Sequence, residues 1–222
     1  MILESAAVPP FAKNGYVLGC ERTREAVYVD PGDEVDQLLA FIADGGFKTR
    51  AILLTHAHLD HVSGVGRAKR ALQAPIHLHR DDLFLYDQAE IHGRLYGLQI
   101  EQPPPVDVYY EGPGPLAFGD YEVFVHHTPG HCPGGVCLQV GRRGEPGRDL
   151  FVGDTLFAGS IGRTDLPGGD YETLMRSITN VLYKFGDDAR VYSGHGPETT
   201  IGDERRTNPF LLEWARANPQ RR

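Results

Sequence analysis

Ala51-Ile52-Leu53-Leu54-Thr55-His56-Ala57-His58-Leu59-Asp60-His61 joins an apolar run to a dense set of ligating side chains. The run from Ala51 to Leu54 reads as a buried strand. It stops at Thr55, and three imidazoles and a carboxylate follow at once: His56, His58, Asp60 and His61. Nitrogen and oxygen donors of this kind suit zinc or iron better than magnesium or calcium. While the backbone is still extended, alternate residues share a side, so His56 and His58 can point the same way. Asp60 and His61 then belong to the turn that opens the next helix. Four donors this close in the chain cannot easily surround one tetrahedral ion, so the spacing hints at two adjacent metal positions.

The rest of the composition narrows the function. The 222 residues carry a net charge of -8, which argues against a partner bound by phosphate neutralisation, so no nucleic acid is expected. No apolar run approaches the ~18 residues of a membrane span. Met1 to Ser5 lack a basic stretch followed by an apolar one, so no signal peptide is expected. Cys20, Cys132 and Cys137 form no C-x-x-C pair and no even set, which predicts free thiols and a cytoplasmic location. The 27 glycines and 16 prolines imply many tight turns. No repeat or linker divides the chain, and residues 1–222 are expected to form one domain.

Working outward, Asn14 to Cys20 and Ala26 to Asp30 read as a hairpin that Asp30-Pro31-Gly32 breaks. Asp33 is the expected N-cap of a helix carrying Val35, Leu38, Leu39 and Ile42 on one face and ending at Gly45-Gly46. A further helix runs through Arg67 to Leu72. Ile76 to His79 follows as a strand, and Asp81-Asp82 opens a short helix. His77 and His79 repeat the H-x-H spacing, but no further ligand follows closely, so they are taken as structural. From Asp87 to Pro105 periodicity dissolves, which suggests a lid or substrate-lining loop. Strands are expected at Val106 to Tyr110, Leu116 to Phe118, Tyr121 to His127, Val136 to Val140, Leu150 to Val152 and Arg190 to Tyr192. Residues 141–148 make a hairpin loop. Helices are expected at Tyr171 to Phe185 and Asn208 to Ala217.

Three more places share the pattern of apolar strand, small-residue turn and metal-competent side chain. They are His131 in Thr128-Pro129-Gly130-His131, Asp154 after Gly153, and His195 in Ser193-Gly194-His195-Gly196-Pro197. The set His56-x-His58-x-Asp60-His61, His131, Asp154, His195 resembles the signature of the metallo-β-lactamase-fold hydrolase superfamily, complete and in order. The resemblance implies an α+β fold, a four-layer αββα sandwich of two facing mixed sheets with helices outside. It also implies two divalent metal ions, zinc first and iron or manganese as alternatives. The first would be held by His56, His58 and His131, the second by Asp60, His61 and His195, with Asp154 bridging. His58 sets the chain apart from the related diiron reductases, which usually carry Glu there.

Gly153-Asp154-Thr155-Leu156-Phe157-Ala158-Gly159-Ser160-Ile161-Gly162-Arg163-Thr164-Asp165 further resembles the type II glyoxalase (hydroxyacylglutathione hydrolase) branch. That branch implies hydrolysis of a small-molecule thioester, such as S-lactoylglutathione, by a metal-bound hydroxide oriented by Asp60. The chain departs from it in two places. Only 27 residues follow His195, where full-length members add a glutathione-binding helical domain. Cys132 stands where Thr is frequent, as a packing residue or a weak extra ligand. The runner-up resemblance is to the glutathione persulfide dioxygenases, which hold one iron through residues matching His56, His131 and Asp154. A β-lactamase, a lactonase or a non-catalytic metal-binding protein ranks below both.

Overall fold

The computed structural model describes residues 1–110, 114–145 and 147–219. Two six-stranded sheets face each other. In the first, β1 (Ile2–Ala6), β2 (Gly15–Gly19) and β3 (Glu25–Val29) are antiparallel neighbours. β4 (Lys48–Leu53), β5 (Ile76–Leu78) and β6 (Val108–Tyr109) continue it in parallel from β3. In the second, β7 (Leu116–Phe118), β8 (Tyr121–His127), β9 (Val136–Arg142) and β10 (Asp149–Gly153) form an antiparallel meander. The hairpin β11 (Leu156–Phe157) and β12 (Ser160–Ile161) stands apart. β13 (Arg190–Ser193) pairs parallel with β10, and β14 (Thr199–Thr200) closes the edge.

Strand alternation makes the layers. In β2 and β3, Leu18, Val27 and Val29 point between the sheets, where they meet Val123, Leu138, Phe151 and Tyr192. Val17, Ala26 and Tyr28 point the other way, under α1 (Val35–Asp44) and α3 (Val65–Leu72). On the far side, Leu150, Val152 and Val191 pack beneath α6 (Tyr171–Asn180) and α8 (Pro209–Ala217). Burial on both faces explains why these strands are apolar throughout rather than alternating. The four layers are those of an αββα sandwich.

Several local expectations change. Asp33 does not cap α1; the N-cap is Glu34, which makes no capping bond, while Asp33 accepts from Ser63 Oγ at 2.9 Å. The helix expected through Arg67 to Leu72 stands: α3 runs from Val65 to Leu72 and stops where Gln73 turns left-handed (φ 52°). The 171–185 helix breaks at Val181 into α6 and a 3-10 turn, Leu182–Phe185. The strand expected at 106–110 is only Val108–Tyr109. The 87–105 segment is not all loop: α5 (Ala89–Leu95) follows α4 (Leu83–Tyr86). β1, the β11–β12 hairpin, β14 and α7 (Ile201–Thr207) had no expectation. In the loop expected at 141–148, Pro146 lies outside the described residues. No described helix is long and apolar enough to cross a membrane.

Candidate metal centre

The parallel pairing of β10 with β13, and the antiparallel steps from β8 through β9 to β10, send β8, β10 and β13 in one direction. Their C-terminal ends open on the same edge as the end of β4. His56 and His58 lie just past β4, and Asp60 and His61 sit in the short helix α2 (Leu59–Val62) that follows. His131 follows β8, Asp154 follows β10 and His195 follows β13. All seven expected residues come together. His56, His58 and His131 form one group whose ligand atoms lie within 4.8 Å of one another, and Asp60, His61 and His195 form another. Asp154 stands between them: Oδ1 is 3.3 Å from His61 Nε2, and Oδ2 is 3.6 Å from His131 Nε2 and 3.7 Å from His195 Nε2.

The tautomers can be worked out from the surroundings. His131 Nδ1 faces the Arg163 carbonyl at 2.8 Å, an acceptor only, so Nδ1 holds the proton and Nε2 offers its lone pair. Thr55 Oγ1 donates to Asp30 Oδ2 at 2.6 Å, so toward His56 Nδ1 (3.2 Å) it can only accept. His56 Nε2 is thereby the lone-pair nitrogen. His61 Nδ1 donates to Asp30 Oδ2 at 2.9 Å, which directs Nε2 at the cluster. His58 is turned the other way, with Nδ1 only 2.7 Å from His131 Nε2.

Hydrogen bonding inside the protein does not satisfy this centre. His56 Nε2, His58 Nε2, His61 Nε2 and Asp154 Oδ1 are buried without a hydrogen-bond partner among the described residues. Orphaned buried polar atoms are rare, and those on His56, His61 and Asp154 belong to a donor set facing a common point. Imidazole and carboxylate donors with outer ring nitrogens fixed by a carbonyl, a hydroxyl and a carboxylate fit a divalent cation. Burial and the neighbouring imidazoles hold His56 far below the usual histidine range. Burial, then His131, takes His58 down to about 3. Burial would also lower His61, but Asp60, Asp154 and Asp30 outweigh it and raise the group to about 10. Without a cation, a proton on His61 is the substitute, although its nearest carboxylate contacts on the cluster side are 3.3 and 3.7 Å.

Sequence reasoning missed the residues beneath the centre. Asp30 accepts from Thr55 N (2.7 Å), Thr55 Oγ1 and His61 Nδ1, tying both ligand positions to β3. Its only signal was a strand-ending Asp-Pro-Gly, which reads equally well as a turn. Asp82 accepts from Ala57 N at 3.0 Å and Gly134 N at 2.5 Å, joining the His56–His58 segment to the loop beside His131. Lys13 is buried, donates to the Asp30 carbonyl and pairs with Glu34 at 3.1 Å. Lys13 also forms an isolated bridge with His195, and Asn14 Nδ2 donates to the Ser193 and Gly196 carbonyls. The last ligand loop is thus held by the first sheet.

Two glycines are dictated by closeness to the centre. A Cβ on Gly194 would stand 2.2 Å from Asp154 Oδ1 and 2.6 Å from His61 Cε1. Gly153 has φ +52°, and a Cβ there would meet Thr55 Oγ1 at 2.3 Å.

His77 and His79 lie outside the seven. His79 stacks on His127, with centroids 4.2 Å apart and planes 8° from parallel. A ligated metal lies in the ring plane, so this stacked pair cannot share an ion without turning. Cys132 Sγ donates to Asp82 Oδ2 at 3.2 Å and belongs to a buried cluster, as a packing residue does. A cavity of about 510 Å³ opens over His58, Asp60, His131, Asp154 and His195, with α5 supplying His92 and Leu95 to its wall.

Comparison with known proteins agrees with this geometry. Residues 8–195 match the model of the metallo-beta-lactamase superfamily. Hydroxyacylglutathione hydrolase GloC of Haemophilus influenzae is 35% identical over 213 residues, 95% of this chain and 98% of that protein. The BLEG-1 B3 metallo-beta-lactamase structure superposes with a TM-score of 0.84 at 39% identity, covering 95% of this chain and 99% of that one. TTHA1623 in a di-iron-bound form gives 0.81 at 42% identity, covering 94% and 100%.

Proposed function

This chain belongs to the metallo-beta-lactamase superfamily of metal-dependent hydrolases, and from that premise we propose that it hydrolyses a thioester at a two-metal centre. The first candidate is S-lactoylglutathione or a related 2-hydroxyacyl thioester. The observation that carries the two-metal centre is the pairing of two three-residue donor groups around one carboxylate, with buried polar atoms left unpartnered among the described residues. His56, His58 and His131 would hold one cation and Asp60, His61 and His195 the other, with Asp154 reaching both. Cations bound there would supply an acidified water and a Lewis acid for the acyl oxygen.

The chain's own residues do the rest. Asp60 lies 2.9 Å from His195 Nε2 and 3.7 Å from His61 Nε2; although burial opposes ionisation, those imidazoles keep it below the usual carboxylate range. It is therefore an ionised acceptor at neutral pH, able to take a hydrogen bond from the attacking water and orient it. Asp30, Thr55 and the Arg163 carbonyl fix the rings, so little reorganisation is needed as charge develops. The name of the Haemophilus relative supports the thioester, and BLEG-1 keeps a β-lactam among the substrates to test.

A mononuclear iron dioxygenase acting on a persulfide is the second reading. It needs only His56, His131 and Asp154, and would leave the convergence of Asp60, His61 and His195 without a use. The deciding experiment is a substrate panel on protein of measured metal content: S-lactoylglutathione, other acyl thioesters, a lactone and a β-lactam. Thioester turnover well above the others is expected. Oxygen uptake with a persulfide and no thioester turnover would overturn the hydrolase.

A further inference from the structure

The walls of the cavity differ in character from its floor. The floor carries the ionisable cluster, whereas Phe11, Leu85, Leu95, Tyr96, Leu166 and Pro167 line the sides. Leu95 is 78% exposed and Tyr96 63% exposed, although both stand at the cavity. Single exposed apolar residues are ordinary, but here Ile91 and Phe84 on the same two helices are exposed as well, and Phe84 lies near Gly168 across the rim. Apolar surface is thus concentrated around the cavity that opens over the metal centre.

The wall is fixed in place. Gln102 Nε2 donates to the Tyr86 carbonyl at 3.1 Å, and Gln102 Oε1 accepts from Glu90 N at 3.3 Å, pinning α5 from behind. Tyr86 donates to the Pro104 carbonyl at 2.7 Å. A Cβ on Gly93 would meet Ile100 at 3.1 Å, so the returning chain packs closely on the helix. Cationic partners are scarce on the walls: among the described residues Arg163 is the one Lys or Arg lining the cavity, and its Nε and Nη2 already bind Asp165 at 2.7 and 2.8 Å.

We propose that the arm of the substrate flanking the scissile carbonyl is uncharged and apolar, and that it lies against Leu95, Tyr96 and Leu166. This rests on the hydrolase function proposed above and deepens it: within the thioester class, an apolar arm on one side of the carbonyl strengthens binding. The arm could be the acyl chain or the thiol side, and the test separates them. Two series of 2-oxoalkyl thioethers, in which a methylene between carbonyl and sulfur prevents hydrolysis, are lengthened on the carbonyl side or on the sulfur side. Their affinity for the purified protein is measured by titration calorimetry.

One series should tighten by about fourfold per methylene until the cavity is filled. The exposed substitutions Leu95→Ser and Tyr96→Ser together should flatten that slope. Affinity independent of length in both series, or an unchanged slope in the double variant, would overturn the proposal. Length-dependent binding without turnover of any matching thioester would leave the apolar arm standing and remove the hydrolase function instead.

Discussion

At the scale of single residues, Asp30 decides more than any one ligand. It accepts three hydrogen bonds in the interior, from Thr55 N, Thr55 Oγ1 and His61 Nδ1. Asp30→Ala strands all three donors, so denaturant unfolding should show a loss of about 3 kcal/mol or more. Metal affinity should fall by roughly 10- to 100-fold, because His61 loses the partner that orients it. His61 gives a second prediction. Its group is raised to about 10 in the metal-free protein, so it carries a proton at neutral pH that a cation must displace. Calorimetry of metal loading in buffers of different ionisation enthalpy should register proton release near neutrality. The sign for stability follows: the charged His61 contribution in the metal-free protein is fully present below the ordinary value near 6.5. It is lost as pH rises through about 10. Gly194→Ala is expected to lower metal stoichiometry while leaving the circular dichroism spectrum unchanged, because its methyl group would collide with Asp154 and His61.

Among elements, the strut from Lys13 to the loop after β13 links the two sheets. Lys13 and Glu34 are 2% and 1% exposed, a buried ion pair. Lys13→Met leaves Glu34 charged, or protonated at a cost, and should destabilise by about 3–5 kcal/mol. Adding Glu34→Leu should recover part of that loss, which thermal unfolding of the two variants will show. What the sequence revealed at this scale followed periodicity and local crowding. The central strands were legible because both faces are buried, and the His56–His61 cluster because its donors are neighbours in the chain. Asp30 and Asp82 were not legible: each serves partners 25 or more residues away, and each has a local reading that accounts for it, the Asp30-Pro31-Gly32 break and the helix start at Asp81-Asp82. α5 escaped for a related reason. Its outward face carries Ile91 and Leu95, exposed at 58% and 78%, which blurs the contrast that marks an amphipathic helix. The edge strands β1 and β14 and the β11–β12 hairpin are too short or too exposed to leave a period.

For the whole molecule, the sandwich matters because it brings four strand ends to one edge and holds them there with buried carboxylates and a lysine. The seven expected ligand positions, spread from 56 to 195, meet at that edge, and four of their polar atoms, on His56, His58, His61 and Asp154, are buried without a hydrogen-bond partner among the described residues. Binding energy should therefore appear as folding stability, and a chelator should lower the thermal midpoint in proportion to the metal removed. The most direct test of the two-metal centre is a titration of zinc, iron or manganese into metal-free protein while hydrolysis of an acyl thioester is followed. Activity rising to a break at two equivalents per chain is the predicted result. A break at one equivalent of iron, with oxygen consumed on a persulfide and no thioester cleaved, would contradict it.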